Sequence, residues 1–189
     1  MRRTQPVGLL LAHLTLVLVS AFIGCSALQG AQASDPDRET LLVFLVRHGE
    51  KAESSSDPEL TTAGHERAEE LARTLQDARV EHVHSSDFLR TKSTASPTAL
   101  DHELSLELYD PSDLPSLVEK VRAQGGRHLI VGHSGTTPRM VKLLGGDPGS
   151  EIDEAGEFDR LYVVSVQVGR GVHSVMLRYG QPSIEAPRD

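Results

Sequence analysis

Short apolar runs alternate with amphipathic helical stretches along most of this chain, and no other feature restricts its fold as much. The run at 41–46, LLVFLV, is typical of a strand buried on both faces of a sheet. The next stretch has apolar side chains at the i, i+3, i+4 and i+7 positions of a helix, namely Ala68, Leu71, Ala72 and Leu75. Thr61 or Thr62 is available as its N-cap. Strands that alternate with helices predict a three-layer α/β fold, in which a mainly parallel sheet lies between helices on both faces.

The remaining elements follow in the same alternating order. Further strands are predicted around Val83, at 104–108 and at 128–131, and two alternating runs beside Gly169-Arg170-Gly171 predict a closing C-terminal hairpin. Further helices are predicted to begin near Phe88 with a distortion at Pro97, at Asp113 with an end at Gly125, and at Thr137, where Pro138 suits the first helical position.

The first 33 residues resemble an export signal. Arg2 and Arg3 precede an apolar run that extends from Val7 to Ile23. Two processing sites compete: Phe22-Ile23-Gly24-Cys25 resembles a bacterial lipobox, which would leave a lipidated Cys25, and Ala31-Gln32-Ala33 has the small-x-small pattern of ordinary cleavage. An uncleaved membrane anchor is the third possibility. We therefore expect a periplasmic or cell-envelope lipoprotein, with membrane attachment at its N-terminus, or otherwise a secreted protein.

The rest of the chain is predicted to form one domain at 41–182, preceded by a polar tether at 34–40 and followed by a tail at 183–189. The net charge of −8 argues against nucleic acid as a partner, because an acidic surface repels phosphate backbones. Cys25 is the single cysteine, so the domain has neither a disulfide nor a thiolate nucleophile. The oligomeric state is left open.

Arginine and histidine residues follow three of the predicted strands, at the point where each strand ends. The segment Arg47-His48-Gly49-Glu50 follows the first strand, Arg90 lies in the first turn of the helix after the second, and His133 follows the fourth. Ligands bind beyond the carboxyl ends of parallel strands, so we expect these groups to meet at one edge of the sheet. Two guanidinium groups and two imidazoles suit a compact anion with several oxygens, and nearby helix N-termini would add backbone N–H groups. The sequence therefore predicts a phosphate site.

Four sequence blocks resemble the motifs of the histidine phosphatase superfamily, which includes the cofactor-dependent phosphoglycerate mutases. They are LVRHGE, LTTAG, SSDFLRTKSTA and GHSGTTP, in the family's order and rough spacing, and the resemblance extends from about Leu41 to the end of the chain. It implies the phosphoglycerate mutase-like fold in its small single-domain form. It also implies a phosphoric monoester hydrolase of the histidine acid phosphatase type, which acts on a small phosphorylated substrate without a metal or cofactor.

Residue by residue, the resemblance makes His48 the phosphorylated nucleophile and makes Arg47, Arg90 and His133 the phosphate pocket. A leaving alkoxide also needs a proton, which family members usually take from a carboxyl group after the third strand. Glu107 and Asp110 both qualify, and Asp110 is favoured because it lies past the strand end. Glu50 as the acid, and a reaction without any protein acid, stay open as well. Glu50 and Ser134 are also predicted to contact the substrate.

We also considered other kinds of site and other functions for this chain. His82 and His84 share one face of a strand but lack a clear third ligand, so no metal site is predicted. The GHSG sequence at 132–135 lacks the glycine spacing of a serine nucleophile elbow. A non-catalytic phosphate-binding envelope module and a phosphohistidine phosphatase are the alternative functions. The acidic loop at 147–159 is expected to be a solvated rim, or alternatively to favour substrates with a cationic group.

Overall fold

A computed structural model of the chain describes residues 40–52, 55–167 and 169–183. The predicted signal segment with Cys25, the tether up to residue 39 and the tail from residue 184 lie outside the described residues. Within the described ranges, no helix combines the length and the apolar character needed to cross a membrane.

The described ranges contain six strands and four helices. The strands are β1 (Thr40–Arg47), β2 (His82–Ser86), β3 (Leu106–Tyr109), β4 (Arg127–Gly132), β5 (Arg160–Gln167) and β6 (Gly171–Arg178). The helices are α1 (Thr62–Leu75), α2 (Leu89–Asp101), α3 (Leu114–Gln124) and α4 (Thr136–Leu144). The strands form one sheet in the order β3-β2-β4-β1-β5-β6, in which the first four pair in parallel and β5 and β6 are antiparallel. The predicted α/β fold and its closing hairpin are confirmed.

Helices cover both faces of this sheet. α1 and α2 pack on one face, and α3 and α4 pack on the other. Successive side chains of β1 point to opposite faces, so Leu45 lies in the core with α3 and α4 and Val46 lies in the core with α1 and α2; both are fully buried. A strand buried on both faces has no place for polar side chains, which explains the unbroken apolar run LLVFLV.

Several of the predicted helix boundaries are confirmed by hydrogen bonds. At the start of α1, Thr61 Oγ1 accepts the N–H of Gly64 at 3.1 Å, and at the start of α3, Asp113 Oδ1 accepts the N–H of Ser116 at 3.3 Å. α3 ends at Gln124 and is followed by Gly125 as its C-cap, whose φ of 63° is a backbone conformation that favours glycine.

Some boundaries differ from the sequence-based expectation. The third strand lies at 106–109 rather than 104–108, so Tyr109 is its last residue. α4 begins at Thr136 rather than after an N-cap at Thr137, because Thr137 Oγ1 donates instead to the carbonyl of Val46 at 3.2 Å. The distortion expected at Pro97 does not interrupt α2, which extends through it.

The order of the strands places the carboxyl ends of β2, β4 and β1 side by side. These ends are Ser86, Gly132 and Arg47. Beyond them, the N–H of His48 donates to the carbonyl of Gly132 at 2.9 Å, which extends the pairing of β1 with β4 by one residue. The segments that follow the three strands therefore begin next to one another.

Candidate active site

His48 lies in the turn after β1, and only 2% of its surface is exposed. Its Nδ1–H donates to the carbonyl of Gly49 at 2.7 Å, which leaves the free lone pair on Nε2. The N–H of Gly49 donates in turn to Thr94 Oγ1 on α2 at 2.9 Å. A Cβ on Gly64 would collide with the carbonyl oxygen of Glu50, so the turn and the start of α1 can approach this closely only with glycine there. This contact joins the LTTAG block to the LVRHGE block.

The electrostatic environment of His48 keeps its ring neutral. Burial and the nearby charges of Arg47 and Arg90 together lower the pKa of the imidazole to about 3, although the hydrogen bond to Gly49 acts in the opposite direction. A neutral imidazole has the lone pair that attack at phosphorus requires. His48 is therefore ready to act as a nucleophile across the whole neutral pH range.

His133 lies beside His48, with ring centroids 5.4 Å apart and an interplanar angle of 69°. An N–H of Arg90 donates to its Nδ1 at 3.5 Å, so the ring proton is on Nε2, which donates to Ser86 Oγ at 2.9 Å. Burial lowers the pKa of His133 to about 4, and the two nearby guanidinium groups act in the same direction. A bound phosphate dianion would oppose this shift and favour a protonated, hydrogen-bond-donating His133.

Arg47 is 1% exposed and is held by the loop before β5. Its Nη1 donates to the carbonyls of Asp153 and Glu157, both at 3.0 Å, and its Nη2 donates to the carbonyl of Glu154 at 2.8 Å. The guanidinium carbon lies 4.0 Å from the ring centroid of Phe158. The Nε–H has no hydrogen-bond partner among the described residues, so one donor of this buried cation is unpaired.

Arg90 is the second residue of α2, and its guanidinium carbon lies 4.4 Å from the ring centroid of Phe88. Its Nη1 lies 3.4 Å from Oδ1 of Asp57, whose carboxylate also accepts the N–H of Leu89 at 3.0 Å. Within the described part of the chain, its Nε–H is unpaired, like that of Arg47. Leaving a buried donor unpaired is unfavourable, and two such donors beside two neutral imidazoles indicate a binding site for an anion.

The remaining two predicted substrate contacts, Glu50 and Ser134, bond to protein side chains. The Glu50 carboxylate accepts Nε–H of Arg67 at 3.0 Å and Nη2–H at 2.7 Å. The Ser134 hydroxyl donates to the carboxylate of Glu154. Their contacts with a substrate stay predictions.

Two of the three carboxyl groups considered as general acid, Asp110 and Glu107, are also engaged in contacts within the protein. Asp110 is exposed, and its carboxylate accepts the hydroxyl of Ser112 at 2.6 Å and its N–H at 2.8 Å, which lowers the pKa of Asp110. Glu107 is half-buried, which raises its pKa, but bonds from Lys120 and His82 outweigh burial and bring that pKa to about 2. A general acid must hold its proton at the working pH, so this geometry lends neither residue support.

The sequence did not reveal most of the residues that hold the pocket in place. These are Ser86 beside His133, the rings of Phe88 and Phe158 against the two arginines, Arg67 beside Glu50, and the carboxylates of Asp57 and Glu154. Two sequence features could have pointed to them: Phe88 lies inside the SSDFLRTKSTA block, and Phe158 is an isolated aromatic residue in an acidic loop. In the described ranges, no group of three or more His, Cys, Asp or Glu side chains is arranged to hold a metal ion.

Comparison with known proteins gives a family match over the first part of the domain. Residues 43–111 match the model of the histidine phosphatase superfamily, branch 1. The probable phosphoglycerate mutase GpmB of Salmonella paratyphi A is 29% identical over 132 residues, which cover 60% of this chain and 59% of that protein. Its counterpart from Escherichia fergusonii is 32% identical over 123 residues, which cover 55% of this chain and 57% of that protein. The chain thus spans less than three fifths of the length of these curated relatives.

Solved structures share the fold over nearly their whole length. The protein histidine phosphatase SixA, complexed with tungstate, has a TM-score of 0.59 and 19% identity, and the match covers 73% of this chain and 97% of that one. A mycobacterial glucosyl-3-phosphoglycerate phosphatase has a TM-score of 0.57 and 14% identity, with 74% and 98% covered. At these identities the likeness concerns the fold alone.

Proposed function

Because this chain belongs to the histidine phosphatase superfamily, we propose that it hydrolyses phosphate monoesters through a covalent phosphohistidine intermediate on His48. One observation carries the proposal. The buried, neutral ring of His48 shares a pocket with two guanidinium groups, each of which has an Nε–H without a partner among the residues that the structure describes. The pocket therefore combines a nucleophile with donors for the oxygens of a phosphoryl group.

In the first step, Nε2 of His48 attacks phosphorus, and an N–P bond forms as the P–O bond to the leaving group breaks. The leaving oxygen keeps the electron pair of that bond and takes a proton. Arg47, Arg90 and His133 bind the non-bridging oxygens, where charge is concentrated in the transition state. Catalysis in this scheme consists of positioning and electrostatic stabilisation.

In the second step, water attacks the phosphorus atom from the side that the leaving group has vacated. The N–P bond breaks, its electron pair returns to Nε2, and inorganic phosphate is released with the oxygen and protons of the water. The hydrogen bond from Nδ1 to Gly49 holds the ring in the same tautomer throughout. His48 thus returns to the neutral form with which the cycle began.

A phosphohistidine side chain is the second candidate substrate. The specific observation in its favour is that the carboxylates of Asp110 and Glu107 are both bonded to other side chains, Ser112 and Lys120. A phosphorylated imidazole can take a proton from solvent on its second nitrogen and then leave as a neutral ring, so it needs no protein acid. The likeness in fold to the protein histidine phosphatase SixA is consistent with this second candidate.

The rival from another class is a phosphate-binding module without catalysis. Turnover of p-nitrophenyl phosphate by the purified protein separates the two, with His48→Asn as the test variant. We expect wild-type hydrolysis and a loss on the order of a thousandfold in His48→Asn. His65→Asn, at an exposed position of α1, is the matched control and should keep wild-type activity. An inactive wild type between about pH 4 and about pH 8 would favour the binding module.

We further propose that the protein acts outside the cytoplasm, as a cell-envelope lipoprotein or a secreted protein. The support is the basic start, the apolar run and the lipobox-like sequence that ends at Cys25. Metabolic labelling with a radioactive fatty acid should mark the wild-type protein and not Cys25→Ser. Unlabelled protein in the culture medium would instead favour cleavage after Ala33.

A further inference from the structure

Two carboxylates flank the phosphate pocket, and each lies against one of its arginines. Oδ1 of Asp57 is 3.4 Å from Nη1 of Arg90, and Oε1 of Glu154 is 3.7 Å from Nη2 of Arg47. Asp57 comes from the segment before α1 and Glu154 from the loop before β5, so they approach the pocket from different parts of the chain. Their side chains are 40% and 72% exposed, whereas the arginines are 14% and 1% exposed, so the carboxylates lie on the solvent side of the pocket.

Further hydrogen bonds hold both carboxylates in these positions. Asp57 accepts the N–H of Leu89 at 3.0 and 3.2 Å and so caps α2, whose own N-cap residue makes no side-chain cap bond. Glu154 accepts the hydroxyl of Ser134, which is the residue next to His133. The negative charge of Glu154 acts on His133 as well, since it opposes the effect of burial on that residue's pKa. The two charges are therefore fixed features of the pocket entrance.

Two other carboxylates near the pocket have cations of their own. Glu157 pairs with Arg160 and Arg178, each at 2.7 Å, and Glu50 pairs with Arg67 at 2.7 Å. None of these three arginines belongs to the phosphate pocket. The cations beside Asp57 and Glu154, in contrast, are the ones that a substrate phosphate would engage.

Binding of a phosphoryl group changes the balance of charge at the entrance. Its oxygens take up the guanidinium charge of Arg47 and Arg90, so the carboxylates of Asp57 and Glu154 are no longer compensated. Whatever is attached to the phosphorus atom then lies near two negative charges. The attached group is the leaving group, so its charge enters directly into the energy of the complex and of the transition state.

We propose that Asp57 and Glu154 select substrates by the charge of the leaving group. They favour a leaving group that carries a positive charge, such as a protonated amine or imidazole, over one that carries a carboxylate or a further phosphate. The inference rests on the proposed function, because it concerns the leaving group of that reaction. For carboxylates this exposed to solvent, the effect is roughly two- to fivefold in kcat/KM for each carboxylate.

The test compares three small phosphate esters whose leaving groups are cationic, neutral and anionic: phosphoethanolamine, glycerol 2-phosphate and 3-phosphoglycerate. kcat/KM is measured for each in the wild type, Asp57→Asn, Glu154→Gln and the double variant. Asn and Gln remove the charge but keep an oxygen that can accept the bonds from Leu89 and Ser134. For an ester that is bound but not turned over, its inhibition constant against p-nitrophenyl phosphate takes the place of kcat/KM.

We expect the wild type to prefer the cationic over the anionic ester. The ratio of their kcat/KM values should fall roughly tenfold in the double variant. Glu151→Gln removes the same charge from an exposed position of the same loop and should leave the ratio unchanged. The preference should also weaken in high salt, because ions screen charges at the surface. Glu154→Gln alone also tests the inference, since its 72% exposed side chain is not a helix cap.

An unchanged ratio in Glu154→Gln and in the double variant would overturn the inference, and so would an equal change in Glu151→Gln, which would indicate a general effect of net charge. Either result leaves the phosphatase standing if hydrolysis of p-nitrophenyl phosphate still depends on His48. A wild type without that hydrolysis contradicts the proposed function itself, so the two failures are distinct.

Discussion

The backbone N–H of His48 donates to the carbonyl oxygen of Gly132 at 2.9 Å, one residue beyond the last paired position of β1 and β4. Because Arg47 pairs with Gly132 in the parallel register, the residues that follow them, His48 and His133, leave the sheet side by side. Their rings are 5.4 Å apart as a result. The spacing of the two imidazoles is thus set by the pairing of β1 with β4 in the sheet.

The first prediction concerns the pH dependence of the reaction. Burial lowers the pKa of His48 to about 3 and that of His133 to about 4 in the protein without ligand, so neither ring titrates near its ordinary value. As the pH falls, protonation of His48 removes the nucleophile only around the lowered value. We therefore expect kcat/KM for p-nitrophenyl phosphate, corrected for ionisation of the substrate, to show no rising limb near pH 6.5. A rising limb near pH 6.5 that remains after this correction would contradict the assigned environment.

The second prediction concerns the leaving-group proton. The carboxylate of Asp110 is bonded to Ser112, so Asp110→Asn should change turnover of an alkyl phosphate by less than about threefold, whereas loss of a general acid costs on the order of 10²- to 10⁴-fold. Glu107→Gln should behave in the same way, after allowance for stability, because its partners are Lys120 and His82. Kinetics with a poor leaving group are the required measurement. A loss of a hundredfold or so in Asp110→Asn would instead identify that residue as the acid.

The third prediction concerns stability in acid. His84 is fully buried, its Nε2 donates to Nδ1 of His128 at 2.9 Å, and burial lowers the pKa of His84 to about 3. The folded value lies below the unfolded one, so the unfolded chain binds the proton more tightly and stability is lost as the pH falls below 6.5. The expected loss between pH 6.5 and pH 4.5 is on the order of 2 kcal/mol for each such histidine.

Urea unfolding at several pH values measures this loss. The exposed His65 provides the control, because His65→Gln should keep the wild-type slope of stability against pH. His84→Gln should flatten the slope while lowering stability at neutral pH, where it disturbs a buried hydrogen bond. A wild-type stability that stays constant from pH 6.5 to pH 4.5 would be the contrary result.

The fold and the four central pocket residues follow from local sequence patterns. Periodicity identified the strands and helices, and parallel strands bring their carboxyl ends to one edge, so the positions of His48, Arg90 and His133 could be inferred without coordinates. Boundaries were less accurate where a side chain has a distant partner. Thr137 looks like an N-cap in sequence, but its hydroxyl bonds to Val46 on a neighbouring strand.

The surroundings of the pocket depend on contacts that no local pattern encodes. Arg47 is held by carbonyl groups more than a hundred residues further along the chain, and Arg90 meets Asp57 from a segment 33 residues earlier. The choice of Asp110 rested on its place just past a strand. The carboxylate of Asp110 is held by a tight turn, in which it accepts the N–H and the hydroxyl of Ser112. This turn was not identified from the sequence.

The covalent intermediate is the most direct test of the whole account. The protein is mixed with a ³²P-labelled phosphate ester, quenched in alkali within the first turnover, digested and mapped. We predict a label that is stable in alkali and lost in acid, as expected for a phosphorus–nitrogen bond, on the peptide that contains His48, and no label in His48→Asn. Label on another residue, or wild-type turnover retained by His48→Asn, would contradict the assignment of His48 as the nucleophile.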